Sequence, residues 1–172
     1  MHSAVLHPGR AVQSRKIVYI EDNRENRLLV RAVLEAAGYT LSEAEDGRSG
    51  IDVVLRERPA LILLDINLPG LDGYEVAALL KSQAAFAATP IIGLTAHCTP
   101  GDRERVLVAG CDGYIMKPID VDTFPRQVAE FLGGKRERIG EHEQAVYLRD
   151  LNVRFARRIV DQLDVLAHSR RQ

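Results

Sequence analysis

Short apolar segments alternate five times with segments of helical periodicity between residues 16 and 134, and this alternation restricts the fold more than any other feature of the chain. Apolar runs as short as Leu61–Leu64 are typical of strands that are buried on both faces of a sheet. A sheet with two buried faces needs helices on both sides, joined to the strands by right-handed crossovers. The sequence therefore predicts an α/β fold, a doubly wound five-stranded parallel sheet.

The helical segments give more detailed expectations about the core. The first helix is expected to run from near Glu25 to Ala37, with an apolar stripe of Leu28, Ala32 and Ala36 facing the sheet. The fifth helix contains Pro125, which must lie within about the first turn, because a proline deeper in a helix breaks it.

Polar side chains follow four of the predicted strands at the point where each strand ends. Glu21 and Asp22 follow the first apolar run, and Asp65 follows the third. Thr95 and Lys117 follow the fourth and the fifth. The carboxyl ends of parallel strands border the crevice in which open α/β sheets bind ligands, so we expect these five side chains to converge at one edge.

The residue types in this set suit phosphoryl transfer to a carboxylate. Three carboxylates supply the hard oxygen ligands that Mg²⁺ prefers. Phosphoryl transfer depends on positioning and on charge neutralisation, so a bound metal lets Asp65 accept a phosphoryl group despite its own charge. Lys117 and Thr95 would then hold the phosphoryl oxygens from the opposite side. The set therefore predicts a phosphate-accepting carboxylate.

Four stretches also resemble one known family in order and spacing, across roughly residues 16–134. They are IVYIEDNRENR, ALILLDINLPGLDGYEV, PIIGLTA and GCDGYIMKPID. The chain resembles a response regulator receiver domain of two-component signal transduction, of the single-domain, CheY-like or DivK-like kind. The resemblance implies a flavodoxin-like (βα)5 fold, here with an extra C-terminal helix.

The resemblance also assigns site residues and a cofactor, Mg²⁺ or Mn²⁺. The matching positions are the phosphoacceptor Asp65, the metal ligands Glu21, Asp22, Asp65 and Asn67, and the phosphate-binding and switch residues Thr95, Ala96, Tyr114 and Lys117. Asn67 contributes its backbone carbonyl in this assignment. Glu21 is one methylene longer than the Asp that is commoner in the family, and is expected to reach the metal through water.

Two further positions concern the lifetime of the phosphorylated state. In resembling receivers, the positions of Asn67 and His97 flank the line along which water attacks the phosphoryl group. Neither side chain is a carboxylate, so neither is a strong base, although a neutral His97 can orient water. We expect slow self-dephosphorylation that these two residues tune.

Each site residue also has a purely structural interpretation. Glu21 and Asp22 are acids that favour the first turn of the following helix. Thr95 is a candidate N-cap, although Thr99 followed by proline is a better helix start. Tyr114 fits a half-buried strand aromatic, and Lys117 fits a solvated lysine.

The expected function is that of a phosphorylation-dependent switch. We do not expect an enzyme, because the protein would catalyse only its own phosphorylation and slow autodephosphorylation. The expected partners are a histidine kinase or phosphotransfer protein and a downstream protein target. One alternative is the receiver portion of a longer hybrid kinase or multidomain regulator. A remote alternative is an Asp-nucleophile phosphatase, which normally has a second Asp where this chain has Asn67.

Composition supports a cytoplasmic protein. The net charge is −1, and 46% of the residues are hydrophobic. No apolar stretch approaches the length of a membrane span, and the N-terminus lacks the apolar core of a signal peptide. Cys98 and Cys111 are expected to be free thiols. Residues 1–15 read as a flexible leader.

Residues 135–172 form a linker and an amphipathic helix. An apolar stripe follows a spacing of three and four residues at Leu148, Leu151, Phe155, Ile159, Leu163 and Leu166. The stripe needs a partner: it should pack on the rest of the chain, pair with a second chain or begin a further domain. We expect a homodimer rather than folding back, because five helices already cover the sheet and a sixth has no vacant place there. The basic residues of this tail alternate with acids, which indicates a solvated face rather than a nucleic-acid site. We do not expect His142 or His168 to be a phosphorylatable histidine.

Overall fold

The computed structural model describes residues 15–96 and 99–169 as a five-stranded parallel sheet flanked by helices. The strands are β1 Lys16–Ile20, β2 Thr40–Ala44, β3 Leu61–Asp65, β4 Ile91–Thr95 and β5 Gly113–Met116. The helices are α1 Arg24–Ala36, α2 Gly47–Glu57, α3 Gly73–Lys81, α4 Asp102–Val108, α5 Phe124–Leu132 and α6 Glu141–Ser169, with a 3-10 turn at Ala84–Phe86. The predicted doubly wound α/β fold is confirmed.

The strand order β2-β1-β3-β4-β5 places the reversal of winding between β1 and β3. All neighbouring strands pair in parallel. Ligands of such sheets bind outside the carboxyl ends of the strands at the point of reversal. Ile20 of β1 and Leu64 of β3 are paired in register near the carboxyl ends of these strands. A ligand site is therefore expected just beyond them.

Alternation of side chains along the strands creates two hydrophobic clusters, one on each face of the sheet. The face covered by α1 and α5 contains Tyr19, Leu34 and Phe124. The opposite face, which contains Val54 of α2 and Val76 of α3, also includes Val106 of α4. The central strand β3 is buried along its whole length. The sheet is thus a rigid base for the polar residues at its edge.

Helix α1 contradicts the expected apolar stripe. Leu28 is 55% exposed, and Ala32 and Ala36 are also exposed, whereas Val30 and Leu34 are fully buried. The segment carries two apolar stripes, and the periodicity alone does not say which one faces the sheet. Arg27 decides the orientation, because its guanidinium is buried on the same side as Val30 and Leu34.

The placement of Pro125 is confirmed. Helix α5 begins at Phe124, so the proline occupies the first turn, where its missing N–H breaks no helical hydrogen bond.

Helix α6 lies partly against the α/β core, so the expectation that a sixth helix has no place there was wrong. Leu151 is only 7% exposed and belongs to the same cluster as Val76 and Val106. Phe155 packs against that cluster. Helix α4 has only seven residues, about 10 Å of helix, and α6 packs beside it.

Two arginines attach α6 to the start of α3. Arg154 lies 2.8 Å from the carboxylate of Asp72 and 4.8 Å from the centre of the Tyr74 ring. Arg158 lies 3.1 Å from Glu75. Asp72 and Glu75 form the capping box of α3, so these ion pairs hold α6 against the N-terminus of α3.

The remainder of the apolar stripe on α6 faces solvent. Leu148 is 45% exposed, Ile159 58%, Leu163 60% and Leu166 57%. In residues 15–96 and 99–169, no helix combines the length and the hydropathy that crossing a membrane requires.

Candidate functional site

The edge at the carboxyl ends of the strands holds the five polar side chains that the sequence singled out. Glu21 and Asp22 follow β1, and Asp65 is the last residue of β3. Thr95 is the last residue of β4 and Lys117 follows β5. Thr95 is in register with Met116, and the Lys117 N–H donates to the Thr95 carbonyl at 2.8 Å. Sheet register therefore brings these residues to one place.

Three of the side chains form a carboxylate cluster. One oxygen each from Glu21, Asp22 and Asp65 lies within 4.8 Å of the others. Glu21 is 1% exposed and Asp65 4% exposed, whereas Asp22 is open to solvent. Two buried acids and one exposed acid offer hard oxygen ligands with access from one side, which fits Mg²⁺ or Mn²⁺.

Lys117 neutralises part of this cluster. Its Nζ lies 2.5 Å from Glu21 Oε2 and 3.3 Å from Asp65 Oδ2. The lysine side chain is 16% exposed, so screening by solvent is limited. One ammonium thus bridges the two buried carboxylates.

Burial and charge act differently on these two acids. The pKa of Asp65 is raised to about 6, because burial and the charge of Glu21 raise it more than the Asn67 N–H and Lys117 lower it. Burial also acts to raise the pKa of Glu21, but the hydrogen bond and charge of Lys117 outweigh it, so that pKa is lowered. Glu21 is therefore the more stably ionised partner of Lys117.

Two more contacts hold the carboxylate of Glu21. The Tyr19 hydroxyl donates to Oε2 at 2.9 Å, and the Asn23 N–H donates to Oε1 at 3.2 Å. Burial and the neighbouring Glu21 raise the pKa of Tyr19, so its hydroxyl stays a donor. Tyr19 was missed in the sequence, although residues two apart on a strand face the same side.

Arg27 supports the backbone of the acidic pair. Its guanidinium donates to the carbonyl of Glu21 at 2.7 Å and to that of Asp22 at 3.0 Å. The other arm donates to Glu45 at 2.8 Å. Arg27 is 8% exposed, and sequence reasoning missed it because an arginine in a helix is ordinarily a surface residue.

The loop after β3 folds closely around Asp65. The N–H of Asn67 donates to Asp65 Oδ1 at 3.0 Å, and the N–H of Gly73 donates to the Ile66 carbonyl at 3.0 Å. A Cβ on Gly73 would lie 2.5 Å from the Asp65 carbonyl oxygen, so only glycine fits there. Asn67 itself is exposed at the edge of the site.

The remaining candidate residues lie along β4 and β5. Thr95 is 3% exposed, and Ala96, the next residue, is exposed. Tyr114 is half-buried on β5 and packs against the cluster that contains Val106. His97 and Cys98 lie outside the described residues, as does the expected leader apart from Arg15. Cys111 is a buried free thiol.

The structural interpretations of several site residues do not hold. Gly101 occupies the N-cap position of α4, so Thr95 does not cap that helix. Asn23 caps α1, and Glu25 is the acid in its first turn. Lys117 lies between two buried carboxylates rather than in solvent. His142 and His168 are exposed on α6.

Comparisons with known proteins agree with this geometry. A family model for the response regulator receiver domain matches residues 17–129. DivK of Brucella anthropi, a polar-differentiation response regulator, is 38% identical over 119 residues, which cover 69% of this chain and 97% of DivK. The relative from Brucella ovis is 37% identical over 120 residues, covering 70% of this chain and 98% of that protein.

Solved structures show the same likeness. The receiver domain of the sensor histidine kinase PA1611 from Pseudomonas aeruginosa, with a magnesium ion in its active-site cleft, has a TM-score of 0.65 and 34% identity. The match covers 69% of this chain and 98% of that domain. Chemotaxis response regulator CheY4 of Vibrio cholerae has a TM-score of 0.64 and 27% identity, covering 67% of this chain and 96% of CheY4.

Proposed function

The chain belongs to the response regulator receiver family, and from this premise we propose that Asp65 accepts a phosphoryl group from a histidine kinase or a phosphotransfer protein. The observation that carries the proposal is the buried Asp65 carboxylate beside Lys117, within 4.8 Å of oxygens from two other acids. Phosphorylation would then alter the binding of a downstream protein target.

In the proposed reaction, an Asp65 carboxylate oxygen attacks the phosphorus atom of a partner's phosphohistidine. The P–N bond breaks, and its electron pair stays on the imidazole nitrogen. Mg²⁺ or Mn²⁺, held by Glu21, Asp22, Asp65 and the Asn67 backbone carbonyl, would neutralise charge on the transferring group. The magnesium ion in the PA1611 receiver supports this assignment for the present chain.

Lys117 and Thr95 would bind the negatively charged phosphoryl oxygens on the side opposite the metal. Lys117 now bridges Glu21 and Asp65, and a phosphoryl oxygen would become its stronger partner. The Thr95 hydroxyl and the Ala96 N–H would donate to the same group, and Tyr114 would fill the space that Thr95 leaves. These shifts would reshape the surface of α4, β5 and α5.

The phosphorylated state is proposed to be long-lived. Asn67 carries an amide where an Asp-nucleophile phosphatase has its second acid, so no carboxylate at that position activates water. His97 is the other proposed tuning residue. Turnover beyond slow autodephosphorylation is therefore not part of the proposed function.

Acetyl phosphate tests the acceptor directly. We expect intact-protein mass spectrometry to show one added phosphoryl group on the wild type in Mg²⁺, and none on Asp65→Asn or in EDTA. Asp52→Asn is the matched control, because it makes the same change on the exposed side of α2 and should behave as the wild type. Phosphorylation of Asp65→Asn, or labelling that ignores EDTA, would contradict the proposal.

We further propose a domain organisation in which residues 16–134 form the receiver and residues 135–172 a linker and dimerisation helix. Since Leu151 is buried against the receiver, we limit the proposed dimer contact to apolar residues of α6 that face solvent. Ala156, Ile159 and Leu163 follow the spacing of three and four residues found in paired helices, and Ile159 and Leu163 are 58% and 60% exposed.

Light scattering tests the dimer. We expect a wild-type dimer with and without the phosphate mimic beryllofluoride, and a monomer for Leu163→Glu. Asp164→Lys, which changes an exposed charged neighbour, is the control and should remain dimeric. A wild-type monomer would favour the other candidate, in which the chain is the receiver portion of a longer hybrid kinase. The similarity to the receiver domain of a sensor histidine kinase supports that candidate as well.

A further inference from the structure

We propose that Tyr19 is a positioning residue for Glu21, holding one oxygen of its carboxylate so that the other is presented to the metal. The inference rests on the proposed metal site and assigns a role to a residue outside the family's acidic pair. Its starting point is a hydrogen bond of 2.9 Å between the Tyr19 hydroxyl and Glu21 Oε2 in the interior of the protein.

The positions of the donors decide which oxygen is available. Each carboxylate oxygen has two lone pairs. Oε2 accepts from both Tyr19 and Lys117, so its capacity is filled. Oε1 accepts the Asn23 N–H at 3.2 Å, and this bond occupies only one of its two lone pairs.

Tyr19 is also the more permanent of the two side-chain donors to Oε2. In the proposed reaction Lys117 turns toward a phosphoryl oxygen and weakens its contact with Glu21. Tyr19 is 0% exposed and belongs to the same buried cluster as Leu34, Leu63 and Phe124. A ring enclosed in this way cannot follow the lysine, so its hydroxyl keeps Glu21 in place.

The length of the Glu21 side chain explains why it needs such a donor. Glutamate has one more rotatable bond than aspartate, and an unheld carboxylate samples more positions. The extra methylene also carries the carboxylate into reach of the Tyr19 hydroxyl. Groups that hydrogen-bond to metal ligands typically contribute about 10–100-fold to metal affinity.

Binding of Mn²⁺, followed by electron paramagnetic resonance of the free ion, tests the role without any measurement of phosphorylation. We expect Tyr19→Phe to weaken Mn²⁺ binding about tenfold. Tyr39→Phe is the matched control: it removes a hydroxyl beside the same cluster, at the opposite edge of the sheet, and should leave the affinity unchanged. Urea unfolding of both variants verifies that they are folded.

A double-mutant cycle separates positioning from a general structural effect. In a Glu21→Asp background the shorter side chain does not reach the hydroxyl, so adding Tyr19→Phe should cause no further loss of Mn²⁺ affinity. An unchanged affinity in Tyr19→Phe, or the same loss in both backgrounds, would overturn the inference. A wild-type protein that does not bind Mn²⁺ would instead refute the proposed metal site, and this inference with it.

Discussion

Replacing Asp65 by Asn is expected to raise the free energy of unfolding of the metal-free protein, although it removes the proposed acceptor. Asp65 is 4% exposed, and burial together with Glu21 raises its pKa from 3.8 to about 6. A carboxylate with a higher pKa in the folded than in the unfolded protein destabilises the fold when it is ionised. The amide has nearly the same shape and carries no charge.

The pKa difference sets the size of the effect. A change from 3.8 to about 6 corresponds to at most about 3 kcal/mol, at about 1.4 kcal/mol per pKa unit. That value already includes the attraction of Lys117, and the buried amide still needs hydrogen-bond partners, so we expect a gain of about 1–3 kcal/mol at neutral pH. The gain is fully present above about pH 6 and decreases toward about pH 4, because the wild-type carboxyl binds its proton in the folded state first.

Urea unfolding followed by circular dichroism, in EDTA and at several pH values, measures this difference. Asp22→Asn is the matched control, because it makes the same change in the same cluster at an exposed position, where the stability gain should be smaller. An Asp65→Asn protein that is no more stable than the wild type at neutral pH would refute the reasoning. A gain that does not decrease between about pH 6 and pH 4 would refute it as well.

Two further predictions concern α6 and the phosphorylated state. Leu151→Ala is expected to lower the free energy of unfolding by about 2–3 kcal/mol, whereas Leu148→Ala, at a position 45% exposed, should change it by less than about 0.5 kcal/mol. Equal effects in urea unfolding would contradict the packing of α6. His97→Ala is expected to change the autodephosphorylation rate more than His142→Ala or His168→Ala, as measured by loss of the phosphorylated mass, and equal rates would exclude His97.

The sequence by itself determined the parallel sheet and the edge at which its polar residues meet. Four of the five strands are short, mostly apolar runs that end at or just before a distinctive polar residue, and parallel strands direct all their carboxyl ends to one side. Asp65 and Thr95 could therefore be placed near each other although thirty positions separate them in the chain. Local pattern was sufficient because the geometry of the sheet is regular.

Only the tertiary structure decided which of several chemically equivalent arrangements is adopted. Helix α1 has two apolar stripes, and the choice between them depends on the burial of Arg27 against the carbonyls of Glu21 and Asp22. From its sequence, helix α6 could have paired with a second chain or folded back on the receiver along its whole length. The contact of Arg154 with Asp72, 82 positions away, holds its first half on the receiver. Such contacts join distant parts of the chain, and no local pattern encodes them.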